Sequence, residues 1–489
     1  MKKGYLEQYL TSGILGLATF ICGYSIVWPS YTIPLFRSDL SPLSGNFTTY
    51  HQSLLGSVPM LGSLLGTVFG GLIADNIGRK RGEILSGLFN VLSCALICTA
   101  RNIYLLVASR FIFGFGGGIH TFLYSIYVGE FSSAAIRGTT ISICVFGYSI
   151  GVLSSYIVGW QLTYEQGNYL ILGINIMFVI SMFFVKDTPV YYLKIGKDKE
   201  ALECLKFYRG TKITNQEVLD EFAEMKSLLH TPQQMILLKD SDTIDDPEKE
   251  KLRQTTDVVV INESKANVWK TMISSKPNLR IFAVISALIF LSVSMGMIAI
   301  QTYAGILFAR AVPNLSSDMC AIAVALANIA GSVLPIFMID VVGRRIMMIA
   351  SAVLVSLCLA ALGAVLRWPI APDWMIPAII LLYCFCFQLG SATVPYMLNA
   401  EAYVPEVKSL CIILAYSVMW GANFIMLAIF APLSELVGLD GTFFFYSGIA
   451  AIAAVLSVFV LPETTGLTVD MIQAKFTNGF SQIGQKSKQ

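Results

Sequence analysis

"DNIGRKRG" at residues 75–82 sets four formal charges into one block of an apolar chain, and "DVVGRR" repeats its core at 340–345. In each copy an Asp stands three residues before a Gly, and two basic residues follow. Glycine permits a tight turn with close backbone approach, so each copy reads as a short loop between helices. A second echo follows each. "YVGEFSSAAIRG" carries Glu130 and Arg137, and "LNAEAYVPEVKS" carries Glu401 and Lys408, with acid and base seven residues apart in both.

The surroundings of these blocks decide the fold class. The chain has 489 residues, 55% of them hydrophobic and 13% charged, with mean hydropathy +0.68. A soluble domain carries roughly 25% charged residues, so this composition belongs to a polytopic membrane protein. The formal net charge of +2 gives no sign of nucleic-acid binding. About 20 apolar residues cross a bilayer as a helix. On that scale twelve spans begin near Leu10, Leu54, Ile84, Ile103, Thr139, Tyr169, Arg280, Met319, Ile346, Trp374, Ser409 and Thr442. The first acts as its own insertion signal, because no cleavable leader precedes it. The blocks become the loops after spans two and eight, and the acid–base echoes the loops after spans four and ten.

The chain therefore divides into a six-helix bundle at 1–185, a cytoplasmic linker at 186–278, a second bundle at 279–466 and a tail at 467–489. The linker holds amphipathic helices such as "NQEVLDEFAEMKSLL" and a charged, turn-rich stretch, "LKDSDTIDDPEKEKLRQTTD", read as mobile. With the N-terminus inside, the inner side holds Lys2, Lys3, Arg79, Lys80, Arg81, Arg137, Arg344, Arg345, Lys408, the linker and the tail. The outer side holds Arg37, Arg101, Arg310 and Arg367. That excess of positive charge predicts both termini in the cytoplasm. The sequons at Asn46 and Asn314 then fall outside as glycosylation sites, while Asn262 falls inside.

Two like-oriented six-helix repeats imply two bundles related by an axis along the membrane normal, with a substrate site between them near the midplane. Arg bridges carboxylates or helix C-termini with its planar fork. Asp75, Arg79, Lys80, Glu130 and Arg137, with Asp340, Arg344, Arg345, Glu401 and Lys408, are thus expected to form a cytoplasmic gate network. That network would hold the outward-open state and break when the inside opens.

Other chemistries are poorly served. Eight of ten cysteines fall in apolar segments, Cys204 in a polar loop and Cys320 near a short loop, and no CxxC pair accompanies the three histidines. Zinc and thiol-redox roles are not expected. No Walker loop and no catalytic constellation stands out, so neither enzyme activity nor a cofactor is expected.

Taken together, these motifs resemble the sugar porter family of the major facilitator superfamily. "DNIGRKR" and "DVVGRR" look like its inter-helix loops, and "SRFIFGFGGG" with "YVGE" and "IRG" like its signature in helices 4 and 5. "VPYMLNAEAYVPEVKS" looks like its helix 10 motif, and "LPETTG" at 461–466 like its signature after helix 12, with Thr465 in place of the usual Lys. "KDTPVYYL" at 186–193 is a degraded form of the matching motif after helix 6. "GYSIVWPSYTIPLF" is similar to insect facilitated trehalose carriers of that family.

The resemblance implies a sugar substrate, a bilayer around the chain and a multi-pass place in the cell membrane. The oligomeric state is left open. It also locates where this chain departs from the family. The helix 5 Gln position is Val145, the helix 7 double-Gln positions are Ser292 and Val293, and the helix 7 Asn position is Ile298. The helix 10 carboxylate position is Gln388 and its Trp position Tyr396, while the helix 11 Asn before Trp is Met419. Asn328, Trp420 and Asn423 remain, Gln301 lies one turn along helix 7, and Tyr148, Ser149 and Thr302 are further candidates to face the cavity. Each buried sugar hydroxyl needs a partner. The amides serve either sugar or neighbouring helices, and Trp420 and Tyr396 either contact or packing. His120 is either structural or pore-facing.

Proton-coupled members carry an Asp in helix 1 where this chain has Ser25, and no span holds Asp or Glu near its middle. Facilitated diffusion by alternating access is therefore expected, of trehalose or a hexose. A non-transporting sugar sensor, a carrier of a less polar solute and a proton-coupled symporter are the alternatives.

Overall fold

A computed structural model describes residues 3–133, 135–210, 216–229, 269–270, 272–312, 314–368, 372–465, 467 and 469–477. The side chains of Asp75 and Asp340, the Asn262 sequon and the charged linker stretch at 238–257 lie outside the described residues. Among those described, helices and turns account for all regular structure. The first six spans are α1 (Lys3–Phe36), α2 (Thr49–Asn76), α3 (Arg79–Thr99), α4 (Ile103–Phe131), α5 (Arg137–Gln161) and α6 (Tyr164–Met182). Three linker helices follow, α7 (Pro189–Lys194), α8 (Asp198–Arg209) and α9 (Gln216–Leu229).

The second half runs α10 (Lys276–Val293), α11 (Met297–Ala311), α12 (Ser317–Val342), α13 (Arg344–Arg367), α14 (Met375–Leu389), α15 (Val394–Glu401), α16 (Pro405–Leu436) and α17 (Gly438–Val460), with α18 (Val469–Thr477) in the tail. Spans seven and ten are each broken in two, as α10 with α11 and α14 with α15. With each broken span counted as one, eleven of the described spans are long and apolar enough to cross a membrane. The remaining expected span, α6, falls short because Glu165, Gln166 and Asn168 occupy its first two turns and Asn175 lies just past its middle.

Pairing repeats between the halves. In the first, α1 packs on α5, α2 on α4 and α3 on α6; in the second, α10 packs on α16, α12 on α14 and α13 on α17. The first and fifth, second and fourth, and third and sixth spans thus pair in both halves. Without a hydrophobic drive between helices in lipid, small residues and close approach hold such pairs. Consecutive glycines of α4 face three different helices: Gly116 meets Asn90 of α3, Gly117 meets Cys22 of α1 and Gly118 meets Ser63 of α2. The α2–α4 contact is reinforced where the Ser63 hydroxyl donates to the Gly114 carbonyl at 3.0 Å.

The linker is part of the fold at its start. Cys204, expected in a polar loop, is instead buried on α8, and the Tyr208 hydroxyl donates to the Lys186 carbonyl at 2.6 Å. Gln8 of α1 donates to the Tyr208 carbonyl at 2.8 Å, which seats α8 on the start of the first span.

A Cβ at Gly118 would lie 2.1 Å from the Ser63 carbonyl oxygen, whereas one at Gly129 meets nothing within 4 Å. Gly118→Ala is expected to lower the thermal midpoint of the purified protein by an amount equivalent to about 1–3 kcal/mol. Gly129→Ala, on the same helix, is expected to leave it unchanged or raise it.

Candidate functional site

Most helices on the side opposite the Asp-x-x-Gly loops begin with a side-chain cap. Thr48 caps α2, Asn102 caps α4, Thr163 caps α6 and Ser316 caps α12. The two helices that begin in those loops cannot do this, because their N-cap residues are Gly78 and Gly343. Both glycines hold a backbone conformation closed to other residues, with φ 92° and 94°. An acid from elsewhere in each half supplies the missing cap. Asp187, just after α6, accepts from the N–H groups of Arg79 and Lys80 at 3.1 and 3.3 Å. Glu463, just after α17, accepts from those of Arg344 and Arg345 at 3.1 and 3.2 Å. A helix N-terminus favours an anion there.

The side chains repeat the pattern. Arg79, buried, donates to the Ala74 carbonyl at 2.8 Å and pairs with Glu130 at 2.6 Å, and Thr188 donates to the same carboxylate. Arg344 pairs with Glu401 at 2.5 Å, a close contact of opposite charges rather than a well-aligned hydrogen bond. Lys80 donates to the Phe183 carbonyl after α6 at 3.0 Å, and Arg345 to the Val458 carbonyl at the end of α17 at 2.6 Å. Both ion pairs join residues of one half. Arg137 and Lys408 are exposed and make no ion pair among the described residues.

The broken helices meet each other. The Ser292 hydroxyl at the end of α10 donates to the Ser391 carbonyl in the break of span ten, and the Tyr383 hydroxyl of α14 donates to the Met295 carbonyl in the break of span seven at 3.1 Å. Ser351 of α13 accepts from the Ser391 N–H at 2.9 Å. Unwound backbone at membrane depth is tolerated only where protein or a cavity receives it, and here neighbouring hydroxyls do so. Gly296, at φ 91°, makes the first break.

The cavity candidates fall around these breaks. Gln301 lies in the second turn of α11, buried, with its carbonyl accepting from Tyr156 of α5 at 2.8 Å and its side-chain amide free of protein partners among the described residues. Gln388, next to last in α14, donates to Asn328 of α12 at 3.2 Å. Trp420 of α16 donates to Thr67 of α2 at 3.0 Å, so its indole bridges the two halves. Ser292 is committed to the span-ten break. Thr302 is buried with its hydroxyl unbonded. Asn423 is buried, and Tyr148, Ser149 and Tyr396 are half-buried.

The halves also join at the end away from the Asp-x-x-Gly loops. Gly305 N–H of α11 donates to Ser30 of α1 at 2.8 Å, and Thr49 of α2 donates to Glu435 of α16 at 2.6 Å. Asn314 donates to Asp373 at 2.6 Å.

One buried acid, Glu83, had no place among the expected site residues. Glu83 lies one turn into α3, fully buried, with its carboxylate 2.8 Å from His120 Nδ1. His120 stacks on Tyr124, with ring centroids 5.4 Å apart. Glu83 was hidden by its closeness to the charged loop. The capping by Asp187 and Glu463 had no local signal, since both lie more than a hundred residues from the amides they hold.

Outside the spans, the two capping acids differ. Burial pushes the Asp187 carboxyl up, only partly offset by the N–H groups of Thr188, Lys80 and Arg79. Burial raises Glu463 too, but hydrogen bonds from Thr465 and from the N–H groups of Arg345 and Arg344 outweigh it, and the net direction is down. A depressed carboxylate stabilises the fold above its unfolded pKa and loses that contribution as pH falls through the folded value. Glu463→Gln is therefore expected to lower the thermal midpoint at pH 7 by the equivalent of about 1 kcal/mol. The gap to the wild type should close as pH drops below about 4.

The chain is 24% identical over 476 residues to the facilitated trehalose transporter Tret1 of Aedes aegypti, covering 96% of this chain and 55% of that relative. Its likeness to the Drosophila yakuba protein of the same name is 24%, covering 96% and 52%. The chain thus spans about half the length of the curated relatives it matches. Among solved structures, the inward-open conformation of the xylose transporter XylE from E. coli superposes with TM-score 0.75 at 17% identity, over 96% of this chain and 99% of that one. The proton:xylose symporter XylE bound to 6-bromo-6-deoxy-D-glucose gives 0.71 at 18%, over 97% and 100%. The fold is that of the major facilitator superfamily. The family model described as sugar (and other) transporter matches residues 14–476, and this multi-pass membrane protein belongs to that family.

Proposed function

We propose that the chain is a facilitative carrier of a sugar, trehalose or a hexose, in the cell membrane, working by alternating access between a bundle at 1–185 and a bundle at 279–466. The observation that carries this reading is the amide set beside the two helix breaks. Gln301, Asn328 and Gln388 offer donors and acceptors to hydroxyls, and Gln388 stands where a carboxylate would bring charge. Asn328 and Gln388 satisfy each other at 3.2 Å, so an arriving sugar exchanges one hydrogen bond for others rather than filling an orphaned site. Trp420 and Tyr396 supply flat faces for a sugar ring, with Asn423, Tyr148, Ser149 and Thr302 as further contacts. The likeness to facilitated trehalose transporters supports the substrate class.

With both termini in the cytoplasm, the bonded end at Ser30–Gly305 and Thr49–Glu435 is the outer one, and the conformation is closed to the outside. The Asp-x-x-Gly loops then lie at the inner end. In the outward-open state, Arg137 and Lys408 come within reach of acids of the opposite half and complete the gate with Asp75 and Asp340.

Counterflow of labelled sugar in proteoliposomes tests the cavity assignment. Asn328→Leu and Gln388→Leu are each expected to cut the exchange rate about tenfold, since each removes one amide and leaves its partner without that bond. Unchanged exchange in both variants removes the assignment, and no exchange of any sugar by folded wild type points to a sensor or another solute.

A proton-coupled cycle is the second reading, and the buried Glu83–His120 pair favours it. That reading requires His120→Gln to abolish uptake driven by an inward proton gradient while sparing counterflow. Under the facilitative reading, uptake shows no such driven component, and His120→Gln alters stability alone.

A further inference from the structure

Arg110 lies two turns into α4, 2% exposed, with no carboxylate partner among the described residues. Arginine does not shed its proton in proteins, and a charge inside a membrane-spanning bundle is costly unless paired. The groups that meet it are neutral. Its Nη1 donates to the Ser25 hydroxyl of α1, and its guanidinium lies 5.4 Å from the Trp28 ring centre and 6.0 Å from that of Phe113. Ring faces attract a cation, but they leave its charge uncancelled. The Nε atom of Arg110 is buried and has no hydrogen-bond acceptor. Asn168 of α6, which lines the same cavity, spends its Oδ1 on Trp28 Nε1 at 2.9 Å.

A small cavity opens at this point between α1, α3, α4 and α6. Tyr24, Ser25, Trp28, Arg110, Phe113 and Asn168 line it, and it has room for a single small ion or water. Its walls offer an unpaired guanidinium, a hydroxyl and an amide, and no carboxylate. A water there satisfies Nε but not the charge. A small monovalent anion does both, and the aromatic walls leave no space for a larger oxyanion.

We propose that this cavity is a halide site, with chloride as the counter-ion of Arg110, held by the guanidinium and the Ser25 hydroxyl inside the first bundle. The site is separate from the amides beside the helix breaks, and it stands whatever solute the protein carries.

The test is thermal unfolding of the purified full-length chain, titrated from sodium gluconate into sodium chloride at constant ionic strength. The expected result is a saturable upward shift of the midpoint, reproduced by bromide. Ser25→Asp, which supplies an internal anion beside Arg110, is expected to unfold at a higher midpoint and to lose the chloride response. In crystals grown in bromide, an anomalous peak is expected beside the Arg110 guanidinium. A wild-type midpoint indifferent to chloride overturns the proposal. So does an unchanged chloride response in Ser25→Asp, or bromide peaks confined to other places. Should Ser25→Asp fail to fold, the wild-type titration and the bromide peak decide the question alone.

Discussion

Helix α3 and helix α13 start where no local side chain can hold their first amides, and one distant carboxylate in each half takes that place. The rest of the architecture follows from this pair of contacts. Asp187 ties the start of the third span to the end of the sixth, and Glu463 ties the ninth to the twelfth. Each bundle is thereby closed on itself at the end where its arginine also gathers the fourth or tenth span through Glu130 or Glu401. An added Cβ at Gly78 or Gly343 would lie 2.5 Å from the Asp187 carboxylate or 2.7 Å from that of Glu463. The glycines are therefore required both for the turn and for the cap.

The two halves share this clasp but divide the remaining work. In the first half the helices are continuous, and glycine contacts along α2 and α4 bring backbones together. In the second half spans seven and ten are interrupted, and hydroxyls of Ser292, Ser351 and Tyr383 receive the freed backbone. Interrupted helices place backbone polar groups and nearby amides at membrane depth, the usual setting of a transporter's substrate site. The first half thus presents continuous helices and the second interrupted ones. Their contacts run along α2 with α16, α1 with α11 and α5 with α12.

Much of this was legible in the chain. Long apolar runs and the doubled Asp-x-x-Gly block were enough for the helix count and the repeat, because hydropathy and charge act over many residues. α6 was the weakest span for the same reason, since Asn168 and Asn175 dilute it. The breaks left only faint marks, Gly296 and the Gly390 to Pro395 run, which also fit an ordinary kink. The doubled acids and bases did point to Arg79 with Glu130 and Arg344 with Glu401, but most other pairwise bonds left no trace. Nothing in the order of residues places Glu83 against His120, or Asp187 on the amides of Arg79 and Lys80. The cavity candidates fall on the intended spans, yet the bond between Gln388 and Asn328, and that between Trp420 and Thr67, depend on helix rotation that periodicity alone leaves undetermined.

On the proposed function, sugar crosses down its own gradient, through amides rather than through a carboxylate. The steady-state ratio of inside to outside labelled trehalose or glucose in proteoliposomes, held with and without an inward proton gradient, tests it most directly. A ratio of one is expected under both conditions, reached faster with protein than without. A ratio that rises above one only when the proton gradient is imposed would contradict it.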